Sequence, residues 1–136
     1  MHPDVKAALK DIFEEHGTVP PPWVMYPEIH PHSIGWRMGE GEHHMWVWHN
    51  WRRELPWTEE ERLSYLRAFP ARPAWLGHVM VFLWDVHPED EAQDVQPYIE
   101  RAEQLGFPSL AAYEADLEIK RWPLMLPRRT RVTDER

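Results

Sequence analysis

Histidine and carboxylate side chains crowd residues 30 to 49: His30, His32, Glu40, Glu42, His43, His44 and His49. Imidazole with carboxylate is a donor set that zinc, iron or manganese takes. His30 and His32 are alternate residues, so in an extended chain they share a side. His43 or His44 would complete a three-histidine set, His43 in the leading version, with Glu42 as a general base. These residues would serve a metal-dependent hydrolase or oxygenase using Zn, Fe or Mn. That is the alternative reading, because the spacing matches no metal motif. There is no His-Glu-x-x-His, and the adjacent His43 and His44 would point about 100° apart on a helix.

A second constellation is aromatic and basic: Trp23, Tyr26, Trp36, Arg37, His43, Trp46 and Arg53. Trp, Tyr and Arg dominate binding hot spots. An arginine stacks on an aromatic ring or grips a carboxylate. The leading reading is therefore a small non-catalytic protein-interaction module, an adaptor, assembly component or inhibitor. It would bind a protein partner through this charge-rimmed surface, without a cofactor. The competing role for these tryptophans is core packing, the expectation for Trp48, Trp51, Trp75 and Trp84. A third pair, Arg72 and His78, has a spacing used by some helical ribonucleases, but Pro73 interrupts it and the acidic charge opposes RNA. His78 reads more simply as a core histidine bonded to Asp85. Ser33, Ser64 and Ser109 sit in no nucleophile elbow.

The chain has 136 residues, no cysteine, nine histidines and a formal charge of −8. The length suits one domain. Without cysteine there is no disulfide scaffold, thiolate metal site or cysteine nucleophile. The negative charge disfavours nucleic acid and suits a basic protein partner. The sequence begins with no apolar leader, so a cytoplasmic location is expected.

These side chains need a frame, and its centre is Trp75 to Val86, apolar except at Gly77, His78 and Asp85. As a helix apolar nearly all round, it must be enclosed by other elements. Pro73 suits its first turn and Pro88 would stop it. A helix of this length spans about 18 Å, too short for a bilayer, and no membrane association is expected. The alternative is a buried strand over 79–86 in an α+β fold.

Other helices are expected at Asp4–Glu15, with Val5, Ala8, Leu9, Ile12 and Phe13 inward, and at Glu42–Leu55. The second has His44, Val47, Trp48, Trp51 and Leu55 on a core face and His43, Trp46, Asn50 and Arg53 on an outer one. Thr58 and Glu61 form a capping box for a helix reaching Phe69, with Tyr65 at its edge and Leu63 and Leu66 inward. Pro97 opens a helix burying Tyr98, Ile99, Ala102 and Leu105. Ser109 caps the last one, which ends before Pro123.

Residues 18–36, rich in proline and aromatics, read as a long ordered surface loop. Gly35, Gly39 and Gly41 imply sharp turns. The fold class is all-α, five or six short helices around the central one. Residues 1–127 form the domain and 128–136 a mobile basic tail. If all nine histidines were protonated, the charge would move from −8 to +1. A turbidity scan from pH 7.5 to 5 is therefore expected to rise toward a solubility minimum below pH 6.

Overall fold

Seven α-helices, and no strand, make up the fold among the residues described by the computed structural model, 2–119. In order they are α1 (Pro3–His16), α2 (Pro22–Met25), α3 (Gly39–Arg53), α4 (Glu59–Ala68), α5 (Leu76–Trp84), α6 (Gln96–Gln104) and α7 (Leu110–Leu117). Short 3-10 turns at Ile34–Arg37 and Pro73–Trp75 lead into α3 and α5. The expected basic tail at 128–136 and the stop at Pro123 lie outside the described residues. No described helix is long and apolar enough to cross a membrane.

The apolar run is α5, and Leu76, Val79, Met80, Val81, Phe82 and Leu83 are all buried. This excludes the strand alternative. The helix stops earlier than Pro88 requires. Asp85 adopts a left-handed conformation, φ 56°, and its N–H donates to the Val81 carbonyl at 2.9 Å. Local signals work elsewhere as read. Thr58 and Glu61 form the reciprocal capping box of α4, Gly17 ends α1 at φ 76°, and the Ser109 hydroxyl accepts from the Ala112 N–H.

Rings meet in succession through the core. Trp36 contacts Trp75, Trp75 contacts Trp23, and Trp23 contacts Trp48. Trp48 stacks on Phe82 at 5.5 Å, and Phe82 stacks on Tyr65 at 4.8 Å. Buried indoles need an acceptor. Trp23 Nε1 donates to the Phe69 carbonyl, Trp36 Nε1 to the His30 carbonyl, and Trp48 Nε1 to the Tyr65 hydroxyl. Tyr65 then donates to the Val19 carbonyl at 2.6 Å. Tyr65 is thus a core residue, not an edge one, because its ring closes the aromatic stack and its hydroxyl satisfies two buried groups.

The stretch 18–36 also differs from a surface loop. Val19, Pro20, Pro21 and Pro22 are buried, and α2 and the Ile34–Arg37 turn give it regular structure. A proline lacks the N–H that burial would strand, so this run goes inside at low polar cost. Two apolar positions assigned to buried faces are exposed, Phe13 at 43% and Tyr98 at 36%. They sit on peripheral helices, where few elements remain to cover them.

The glycines before α3 divide their roles. Gly39 takes φ 64°. Gly41 is helical, and a Cβ on it would lie 2.7 Å from the Gly35 carbonyl oxygen. Gly41→Ala is expected to destabilise the fold by about 1–3 kcal/mol, since forced backbone shifts outweigh the helix-propensity gain. Thermal melting of the variant checks this; an unchanged or raised Tm contradicts it.

Candidate functional site

Two helical stripes face each other across a cleft of about 720 Å³. From α3 come Trp46, His49, Asn50 and Arg53, spaced i, i+3, i+4, i+7, so they share a face. The opposing stripe has the same spacing: Ala74, Gly77, His78 and Val81. The space exists because Ala74 and Gly77 present almost no side chain. His32, Tyr113, His87 and Glu89 close the margins.

Arg52 builds the inner wall. It is 4% exposed, and its guanidinium donates to the Val81 carbonyl at 3.3 Å and to Asp85 Oδ1 at 3.2 Å. Asp85 Oδ1 also lies 3.1 Å from His87 Nε2, and Glu89 lies 3.3 Å from His87 Nδ1. Arg62 donates to the Phe82, Arg52 and Leu55 carbonyls, which ties the end of α3 to the end of α5. Opposite them, Asp116 of α7 accepts from Arg72 at 2.6 Å and from the Ala74 N–H at 3.0 Å. This seats α7, with its Tyr113, beside the cleft.

The two imidazoles in the cleft are His49 and His78, ring centres 6.0 Å apart. Neither makes a hydrogen bond to a described residue, and both are only partly exposed. Burial pushes His49 down to about 4, and Arg52 and Arg53 push the same way. For His78 burial is again the main cause, with His49 and His32 adding to it, and the result is about 3. Both rings are neutral at pH 7. His44 is lowered as well by burial, although its Nε2 donates to the Pro20 carbonyl at 2.7 Å. Full protonation of all nine histidines is therefore not reached near pH 6, and the swing in charge is smaller than composition alone implies.

Several expected site residues are placed elsewhere. Trp23 and Trp36 are 7% and 9% exposed and belong to the core. Their burial corrects the expectation that they face a partner; hydrogen bonds to Phe69 and His30 hold them inward. Tyr26 lies half-buried against Trp36, with its hydroxyl donating to Glu40 at 3.2 Å. Arg37 is exposed at the end of its 3-10 turn, away from the cleft lining.

His43 lies on the outer side of α3 beside Trp46. His30 and His32 are neighbours, but the His32 backbone N–H occupies His30 Nδ1 at 3.0 Å. Among the described residues no three His, Asp or Glu side chains come together as a metal site, so the set His30, His32 and His43 is not assembled. His78 is not bonded to Asp85, whose carboxylate is taken by Arg52 and His87, and Arg72 is engaged by Asp116.

Trp46 and Arg53 are the expected binding residues that line the cleft. Sequence reasoning left out Arg52, His87 and Tyr113. One signal was available: His49 lies three and four residues before Arg52 and Arg53, and therefore on their face. No family profile, curated protein or solved structure matches this chain.

The cleft histidines make stability depend on pH. An unfolded histidine titrates near 6.5, so between pH 6.5 and 4 the unfolded chain binds protons that folded His49 and His78 do not. Stability is then lost as pH falls through this window. Melting temperatures are expected to drop over pH 6.5–4, and the slope to flatten in His49→Gln with His78→Gln. An unaltered slope in that double variant contradicts the assignment.

Proposed function

We propose that this protein is a non-catalytic interaction module that seats a side chain of a protein partner in the α3–α5 cleft, with Trp46 as the aromatic anchor. The observation that carries this is Trp46, 39% exposed, on the same helical stripe as Arg53 at the mouth of a cleft of mixed polar and apolar lining. Tryptophan beside arginine at a pocket rim is the composition of a binding hot spot. A cleft of this volume encloses a large side chain or a short turn of a partner.

A metal-dependent reaction has less support, since the proposed ligands do not converge. The partner's overall charge follows from two scales. The whole chain at −8 favours approach of a basic protein, whereas the cleft, flanked by Arg52 and Arg53, favours an acidic or aromatic group at the point of contact.

Affinity capture from native extract tests this, comparing the wild type with Trp46→Ala and Arg53→Gln. Both side chains reach the surface, so both variants are expected to stay within about 1 kcal/mol of wild-type stability. A protein retained by the wild type and lost from both variants is the expected result. Equal retention by all three removes the proposal.

A further inference from the structure

We propose that the α3–α5 cleft is a carboxylate-binding site, where an acid group lies between the Arg53 guanidinium and the His49–His78 pair and makes that pair easier to protonate. This deepens the interaction reading and rests on the cleft being the recognition site.

Among the described residues one guanidinium at the cleft has no carboxylate partner. Helix α3 contributes His49, Arg52 and Arg53, α5 contributes His78, and the turn after it contributes Asp85, His87 and Glu89. His32 comes from the loop before α3, and Tyr113 from α7. Asp85 pairs with Arg52, and Glu89 sits against His87. Arg53 pairs with no acidic group among the described residues. With His49 and His78 neutral, Arg53 is the guanidinium at the cleft that a carboxylate can pair with. A monoanion matches that single cation, whereas a phosphate dianion brings a second negative charge beside Glu89 at the rim.

Unmet donors agree with the charge. His49 and His78 make no hydrogen bond to a described residue, although both line the cleft. A group that only accepts suits such surroundings, and an ionised carboxylate is one. The molecule already shows this chemistry next door, where the Asp85 carboxylate accepts from Arg52 and approaches His87. Proton coupling follows from electrostatics. Burial and the two arginines now keep His49 neutral. A negative charge within about 4–6 Å opposes both and favours the imidazolium.

Trifluoroacetate is the probe, because it stays ionised across the acid range. The full-length protein is titrated with it against matched sodium chloride. Fluorine NMR reads binding and ¹H–¹⁵N imidazole spectra read the histidines. The expected result is saturable fluorine line broadening that Arg53→Gln abolishes, with the His49 midpoint moving from about 4 to about 5 or higher. The proposal is overturned if broadening does not saturate, if chloride produces the same shift, or if the His49 midpoint stays in place. It is also overturned if Arg53→Gln binds as the wild type does.

A captured partner separates the sources of the carboxylate. Release of the partner by trifluoroacetate assigns the acid group to the partner's side chain, and saturable binding without release assigns it to a free small acid. Capture that ignores Trp46→Ala defeats the interaction module, and the fluorine titration still decides the carboxylate site.

Discussion

Two guanidinium groups hold the carbonyl ends of α3 and α5 together, and the cleft depends on that clasp. The last carbonyls of a helix have no partner within it and carry partial negative charge. Arg62 donates to the Arg52 and Leu55 carbonyls at and just past the end of α3 and to the Phe82 carbonyl near the end of α5, and its guanidinium also lies 5.2 Å from the Phe82 ring centre. Arg52 takes the Val81 carbonyl and fixes Asp85, whose left-handed backbone ends α5. Burying a cation is costly unless its donors are met. Here carbonyls near the helix ends and one carboxylate accept from both guanidinium groups, and the two helices cannot slide apart without exposing several groups together.

The opposite side of the same helices is dry. Trp48 and Trp51 of α3 pack against Phe82 of α5 and Tyr65 of α4. A small domain gains much apolar area from each indole. Its polar edge has to be met, and the Trp48–Tyr65–Val19 series of hydrogen bonds does so inside the core. The tryptophan content therefore has a structural explanation for most positions, and it is Trp46, left half-exposed on the other face of α3, that stands apart.

Helix α3 thus divides its surface between the core and the cleft. One stripe fills the core. The other lines a cleft kept open by Ala74 and Gly77 across the way, with Gly77 covered only by Pro88 at ordinary contact distance. Histidines placed there lose their charge because they are enclosed, His49 beside arginines and His78 beside other histidines, so at neutral pH they are hydrogen-bonding groups more than ions.

Periodicity, capping residues and prolines determined the all-α class, the central helix, the two-faced α3 and the capping box, because these are local effects acting within a turn or two of chain. The same locality made Trp46, Asn50 and Arg53 legible as one outer stripe. Which aromatics turn inward was not local. Trp23 and Trp36 are buried because carbonyls of Phe69 and His30 are in reach, and Tyr65 because Val19 is. Nor was the cleft legible as a whole: His49, His78, His87 and Tyr113 come from four separate segments, brought together by Arg52–Asp85 and Arg72–Asp116 contacts between residues 33 and 44 positions apart. Spacing along a chain specifies faces of helices; only packing decides which faces meet, because that choice is made by groups with no sequence proximity to one another.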